Sequence, residues 1–376
     1  MLQRVALFIP SLRCGGAERV MLKLAGAFAE SGLNVDLVLA AAQGPYLSQV
    51  PPDVRVVDLA ASRVLTSLPG LVRYLRRHRP AALLSAMEHA NLIALAARGI
   101  ARVPARVVVS IRITVSQDWR RGRSLRSRIA IACAGHFYTA AQGVVAVSDG
   151  VADDFANVTG FRRSSIRTIY NPVVTSGFSA LAEAPVNDPW FAVGEPPVVL
   201  GVGRLTTQKD FPTLLHAFAR VRSQRPARLL ILGEGEKRSE LEALAHELGL
   251  ASDVRLHGYV DNPYAYMHRC AVFVLSSAYE GLPNALIEAM ACGAPVVSTD
   301  CPSGPTEILE RGRYGCLVPI GDADAMAQAI LRTLQNAPDT ASTRDRAKMF
   351  SLEASARQYL DLLFGDSAGD QSRRAA

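Results

Sequence analysis

The sequence predicts an α/β protein built from two doubly wound, Rossmann-like domains that face each other across a cleft. Short aliphatic runs alternate with helix-like segments along nearly the whole chain, which is the pattern of parallel sheets whose crossovers are helices. That alternation breaks once, over 174–197, where Pro185, Pro189, Pro196 and Pro197 give the composition of a linker. The 376 residues are enough for two cores of ordinary domain size.

Strands are expected at 4–9, 35–39, 54–58, 82–85, 106–111, 143–147 and 166–169, with helices in the intervals, notably 17–31, 68–78 and 90–99. The apolar run 5–9 is too short for the hydrophobic region of a secretory signal and reads as the first strand. The stretch 81–97 is interrupted by Glu88, His89 and Asn91, and so falls short of the ~18 uninterrupted apolar residues of a spanning helix. Any membrane contact is therefore expected to be peripheral. The second half restarts with a strand at 198–202, then helix 211–224, strand 228–232, helix 237–248 and strands 254–257, 271–275 and 295–298. The domains are accordingly drawn as 1–175, a linker at 176–197, and 198–350. A helix at 351–364 returns to the first domain, and a polar tail at 365–376 is expected to be disordered.

Residues 1–175 carry 22 Lys and Arg against 10 Asp and Glu, net +12, whereas the remainder carries 19 against 24, net −5. One basic cluster is Arg73, Arg76, Arg77 and Arg79; a second is Arg112, Arg120, Arg121, Arg123, Arg126 and Arg128 around Trp119. Two readings stay open: a solvated basic surface, or attraction to an anionic leaflet worth about 1 kcal/mol per basic residue, with Trp119 and Leu125 as shallow anchors. Nucleic acid is excluded as a partner, because the clusters lack interleaved aromatics and no recognised binding module is present. Cys14, Cys133, Cys270, Cys292, Cys301 and Cys316 form no C-x-x-C pair and read as reduced packing residues of a cytosolic protein. Cys14 abuts a glycine loop, with no partner in view for a nucleophilic role.

The densest chemistry lies in 279–288, Tyr-Glu-Gly-Leu-Pro-Asn-Ala-Leu-Ile-Glu. Glu280 precedes a helix expected at 285–292 and Glu288 lies on it, just after the buried strand 271–275. Open α/β sheets bind ligands at the carboxyl ends of their strands, and helix-start amides favour anions. The segment thus suits a phosphate cradle flanked by two carboxylates able to bind hydroxyls. Upstream, Gly201 and Gly203 lead to Arg204 and Lys209. A dinucleotide fingerprint is excluded, because it would need glycine at Thr206. Asp322-Ala323-Asp324 has the D-x-D form of a metal site, but it opens a helix at 323–334, where Asp322 is a natural N-cap.

Taken in order, Gly15-Gly16-Ala17-Glu18-Arg19, Asn171-Pro172, Gly201-Val202-Gly203-Arg204 with Lys209, Gly233-Glu234-Gly235, Gly258-Tyr259-Val260, Glu280 with Glu288 and Gly315-Cys316-Leu317-Val318-Pro319 make the chain resemble the retaining glycosyltransferases of family 4, with the GT-B architecture. The resemblance runs over roughly residues 3–335. It implies a nucleotide-sugar donor, UDP by family frequency, and a glycan or lipid-linked acceptor. The expected enzyme is a hexosyltransferase of surface-polysaccharide, lipopolysaccharide or glycoconjugate synthesis, working at the cytoplasmic face of the membrane with no metal or other cofactor.

The resemblance assigns Arg204 and Lys209 to the donor diphosphate, as a bidentate fork and a point charge. It gives Glu280 to the transferred sugar, Glu288 to the ribose, the amides of Gly281, Leu282 and Asn284 to phosphate or sugar oxygens, and the backbone near Tyr259 and Val260 to the base. Gly15 and Gly16, lacking β-carbons, would approach the diphosphate closely, and domain closure would assemble the site. Glu280, Arg204 and Lys209 are the expected catalytic residues, and substitution of Glu280 or Lys209 is expected to lower transfer while leaving the fold intact.

The family's N-domain histidine has no counterpart, since the matching strand ends in Ser110-Ile111-Arg112. Arg112 either replaces it or belongs to the acceptor pocket, and His89 is either an acceptor contact or an ordinary helix-start residue. Two other functions compete: a non-catalytic nucleotide-sugar-binding scaffold, and a glycoside hydrolase whose paired carboxylates would face one glycosidic bond at ~5–10 Å.

Overall fold

The computed structural model describes residues 3–13, 15–116, 134–336 and 339–365. Cys14, Cys133, Trp119, Leu125, Arg120, Arg121, Arg123, Arg126, Arg128 and the tail beyond Gly365 lie outside them. The chain divides into two compact units: Met1–Pro172 together with Ser351–Ala376, and Val173–Phe350.

The first unit is a seven-stranded parallel sheet of β1 (Arg4–Ile9), β2 (Asn34–Leu39), β3 (Val54–Asp58), β4 (Ala82–Ala86), β5 (Arg106–Ile111), β6 (Gly143–Ala146) and β7 (Ile166–Thr168), ordered β3-β2-β1-β4-β5-β6-β7. Five consecutive residues of β1 and all five of β4 are buried, as expected for strands covered on both faces. The helix Gly16–Glu30 buries Val20, Met21, Leu24, Ala25 and Phe28, a stripe at helical spacing. It shares a core with Val5, Leu7 and Ile9 of β1 and with Ala356, Tyr359 and Leu363 of the last helix, Leu352–Phe364. That helix is tied in by Ser355, whose Oγ donates to Tyr170 O at 2.9 Å, and by Arg106, whose Nη2 donates to Leu362 O at 3.3 Å. Asp36 of β2 is buried and receives Arg55 through both carboxylate oxygens (2.8 and 2.5 Å) and Tyr74 Oη at 2.6 Å. Burial and that bond to Asp36 push the Tyr74 phenol well above its ordinary range.

The second unit is a six-stranded parallel sheet of β8 (Val198–Val202), β9 (Arg228–Leu232), β10 (Val254–Gly258), β11 (Val272–Leu275), β12 (Val296–Thr299) and β13 (Cys316–Val318), ordered β10-β9-β8-β11-β12-β13. Phe211, Leu214, Phe218 and Val221 of helix Phe211–Gln224 share its core with Met326 and Ile330 of helix Ala323–Gln335. The strands and helices expected from the sequence lie within two residues of those observed. In both sheets the chain changes winding direction in the middle, between β1 and β4 and between β8 and β11. At such a reversal the loops leaving two adjacent strands part and open a crevice at their carboxyl ends.

Residues 176–197, linker-like in composition, pack on the second unit. Helix Phe178–Glu183 sets Phe178 against Tyr264, ring centroids 4.5 Å apart. The Trp190 ring lies under the guanidinium groups of Arg255 and Arg228, at 3.9 and 5.1 Å, and Arg255 Nη1 donates to buried Asp188 at 2.7 Å. The prolines stop extended regular structure, but the aromatic rings between them carry enough apolar surface to hold the segment down.

Candidate functional site

The crevice of the second sheet is built from the loop after β8, residues 203–210, and the loop after β11, residues 276–283. Gly203 leaves room for the Lys209 stem, because a β-carbon there would meet Lys209 Cε at 3.0 Å. Gly233 has φ +137, and a β-carbon on it would lie 2.0 Å from Gly203 O, so only glycine lets the loop after β9 pass so near. Three bonds tie the β8 and β11 loops together: Ala278 N to Gln208 O at 2.9 Å, Ser276 Oγ to Lys209 O at 2.7 Å, and Gln208 Nε2 to Tyr279 O at 3.0 Å. The β12 loop clamps the other side, with Glu280 N donating to Pro302 O at 2.8 Å, Ser303 N to Glu280 O at 2.9 Å and Ser303 Oγ to Gly281 O at 2.8 Å.

Within this frame Lys209 Nζ lies 2.6 Å from Glu280 Oε1. The same oxygen accepts from Ser277 Oγ at 2.7 Å, and Oε2 accepts from Gln208 Nε2 at 3.3 Å. The structure thus brings Lys209 and Glu280 into direct contact, whereas Arg204 is exposed and makes no ion pair or side-chain hydrogen bond among the described residues. The contact amends one expectation. Each charge neutralises the other in a largely dry place, so removing either alone strands its partner and costs stability as well as function.

Glu288 occupies the second turn of helix Asn284–Ala291, buried, and accepts from Tyr264 Oη at 3.3 Å. The two carboxylates therefore have separate protein partners: Glu280 is held by the β8 loop and Glu288 by helix Tyr264–Arg269. Pro283 starts the intervening helix without a side-chain cap; Gly281 and Leu282 are buried and Asn284 half-buried. Tyr259, just past β10, is 60% exposed, and Val260 is half-buried beside it. Asp322 caps helix Ala323–Gln335 through Oδ1 to Ala325 N at 2.8 Å, and Asp324 pairs with Arg220. Burial raises the thiols of Cys292 and Cys301 to about 12 and lifts Cys270 as well, so these three remain protonated packing groups rather than nucleophiles.

In the first unit Gly15 precedes helix Gly16–Glu30, which has no side-chain cap. The Glu18 carboxylate folds back over Gly15, where a β-carbon would come within 2.2 Å of its Oε2. Arg112 follows β5 and is half-buried. Its Nη1 donates to Asn171 Oδ1 at 2.9 Å and its Nη2 points to Met21 Sδ at 3.7 Å. Burial depresses the Arg112 pKa, opposed by the nearby Tyr359 and Glu18. His89 is exposed near the start of helix Glu88–Ala101, and its side chain makes no hydrogen bond among the described residues.

Sequence reasoning missed Gln208, Ser277, Ser303 and Tyr264, the groups that hold the two glutamates and their loop. Two of them had a local signal. Gln208 adjoins Lys209 in a strand-end loop, and Ser277 precedes Glu280 by three residues, the spacing at which a hydroxyl closes a turn. Tyr264 comes from helix Tyr264–Arg269 and Ser303 from the β12 loop.

Residues 14–176 match the family model described as Glycosyltransferase Family 4, and residues 196–336 match the one described as Glycosyl transferases group 1. An N-acetylgalactosamine-N,N'-diacetylbacillosaminyl-diphospho-undecaprenol 4-alpha-N-acetylgalactosaminyltransferase of Campylobacter jejuni is 29% identical, over 97% of this chain and 100% of that protein. The lipopolysaccharide core biosynthesis glycosyltransferase LpsE of Rhizobium meliloti is 29% identical, over 93% of this chain and 96% of its own length. The crystal structure of Anabaena HepE in complex with UDP superposes with a TM-score of 0.79 at 22% identity, covering 96% of this chain and 99% of that one, and so shares the fold. On these matches and its paired Rossmann-like units, the chain belongs to the family 4 glycosyltransferases.

Proposed function

We propose that this transferase moves a sugar from a UDP-sugar to a hydroxyl of a glycan or lipid-linked acceptor in lipopolysaccharide or other surface-polysaccharide assembly, with retention at the anomeric carbon. The observation that carries the reading is the Lys209–Glu280 pair at the β8/β11 crevice, with Arg204 exposed on the same loop as Lys209. The diphosphate takes Arg204 and Lys209, the sugar hydroxyls take Glu280, the ribose takes Glu288, and the backbone at Gly281, Leu282 and Asn284 serves phosphate or sugar oxygens. Backbone at Val260 meets the base. In the first unit Gly15 and Gly16 offer amides without β-carbons, and Arg112 and His89 serve the acceptor side. The relatives named above, a diphospho-undecaprenol-linked sugar transferase and a lipopolysaccharide core transferase, support the acceptor class.

In the reaction the acceptor hydroxyl attacks the anomeric carbon from the face that the diphosphate leaves. The bond from that carbon to the phosphate oxygen breaks, the proton passes to that oxygen, and nucleoside diphosphate departs. Lys209, fixed in the crevice, holds the growing negative charge without reorganising, and the exposed Arg204 closes on the same charge, so transfer needs no metal. Expected results are a UDP-dependent rise in melting temperature, by mass action on the folded state, and full turnover after EDTA treatment. Absence of any nucleotide-dependent shift, or loss of turnover on chelation with rescue by a divalent ion, refutes the respective half of the proposal.

Among the described residues no helix is long and apolar enough to cross a membrane. Arg73, Arg76, Arg77 and Arg79 of the second helix, Leu68–His78, and its cap are exposed, and Ile100 beside them is half exposed and accepts from Arg76. This face supports peripheral binding to an anionic leaflet, with Arg120, Arg121, Arg123 and Arg126 contributing from the second cluster. Co-sedimentation with anionic vesicles should fall steeply between low and physiological salt; binding that ignores salt, or none at all, returns the arginines to a solvated surface.

A further inference from the structure

The two glutamates of the second unit are held very differently. Glu280 meets an ammonium, a hydroxyl and a side-chain amide. Glu288 is 7% exposed and, among the described residues, makes no ion pair; its side chain accepts one hydrogen bond, from Tyr264 Oη to Oε1. An ionised carboxylate has room for about four donors, and a buried one left short of them is costly. One phenol therefore sets the place of this carboxylate and leaves Oε2 for hydroxyls that a ligand brings.

Tyr264 is itself fastened by the segment that follows the first unit in the chain. Phe178 packs on its ring, centroids 4.5 Å apart. Helix Phe178–Glu183 also offers three carbonyls to the flanks of Tyr264: Leu181 O accepts from Asn262 Nδ2 at 2.8 Å, and Ala182 O and Glu183 O accept from Arg269 at 3.3 Å each. From the opposite side Cys292, which ends the helix carrying Glu288, donates Sγ to Tyr264 O at 3.5 Å. A shift that withdrew the phenol from Glu288 would strain these contacts together.

We propose that Tyr264 is a positioning residue for nucleotide recognition: its hydroxyl fixes the Glu288 carboxylate for the ribose diol, and Phe178 of the connecting segment keeps it there. This rests on the glycosyl-transfer reading, in which Glu288 takes the ribose of a nucleoside diphosphate. A long acidic side chain loses rotamer freedom when it grips a ligand, and orientation by the phenol beforehand removes that cost from binding. The connecting segment thus acts on donor affinity through Tyr264 and Glu288.

The test titrates the full-length chain by calorimetry with UDP and with 2′,3′-dideoxy-UDP, and reads the ratio of the two affinities. Tyr264→Phe, which deletes one oxygen, is expected to lower the preference for UDP by about tenfold, on the scale of a lost bond to a charged group, with dideoxy-UDP binding as in the wild type. A merely structural role would weaken both probes alike, and an unchanged ratio in Tyr264→Phe overturns the proposal. If that variant fails to fold, Phe178→Ala decides, because it keeps the hydroxyl and removes the ring that holds it; an unchanged ratio there also overturns the proposal. Glu288→Gln separates the two levels of the argument. A wild type without preference for UDP, or a preference that survives Glu288→Gln, sinks the ribose assignment and this proposal with it. A preference lost in Glu288→Gln but kept in Tyr264→Phe sinks the role of Tyr264 alone.

Discussion

Lys209→Ala is expected to lower kcat for sugar transfer by about 10²–10³-fold, the usual consequence of removing one preorganised group from developing negative charge. The effect should be large because the position has little redundancy. The ammonium reaches the crevice on a stem that packs against Gly203, and the neighbouring Arg204 is exposed rather than fixed. The Lys209 and Glu280 side chains are only 17% and 8% accessible. The substitution therefore also leaves a carboxylate with only Ser277 and Gln208 as donors, and a stability loss of about 3–5 kcal/mol should accompany it. The double variant Lys209→Ala with Glu280→Gln separates the two effects. It removes the stranded charge while keeping the shape of residue 280, so the urea midpoint should recover much of the loss and kcat should stay low. A double variant with wild-type kcat would show that neither charge contributes to transfer.

Much of the architecture was legible because parallel strands buried on both faces leave a strong local mark. Runs such as 106–111 and 228–232 are apolar almost throughout, and Gly or Pro punctuates the ends of their crossovers. The site was legible in its charged members, since Arg204, Lys209, Glu280 and Glu288 stand at strand ends and helix starts where an α/β sheet offers ligands its backbone. Their support was not. Ser303 reaches the site from the β12 loop and Tyr264 from a helix, and the fold, not the local sequence, brings both there. Likewise Asn171, 59 positions from Arg112, becomes its partner only once β5 and β7 share one sheet. Residues 176–197 were misleading for a different reason. Proline content announces the absence of regular structure, but it says nothing about whether Phe178 and Trp190 find surfaces to cover. They do, on Tyr264 and on the arginines of β9 and β10.

Leu363→Ala is expected to destabilise the first unit alone, by about 2–5 kcal/mol, the range for deleting a large aliphatic side chain from a packed core. Leu363 is fully buried and clusters with residues of β1, β2 and β4 and with helix Gly16–Glu30. The whole second unit intervenes in the chain between that core and the helix bearing Leu363. The helix is thus a long-range element of the first unit: its burial stabilises that unit only after the chain has left and returned, and its described residues are not members of the second core. Trp190 offers a selective reporter, because its ring lies between Arg228 and Arg255 in the second unit. In a Trp119→Phe background, urea unfolding followed by Trp190 fluorescence should keep its midpoint in Leu363→Ala, while the circular-dichroism curve gains an earlier component. A Trp190 midpoint that falls in step with the dichroism would mean that the two units unfold as one cooperative body, and that the last helix stabilises both.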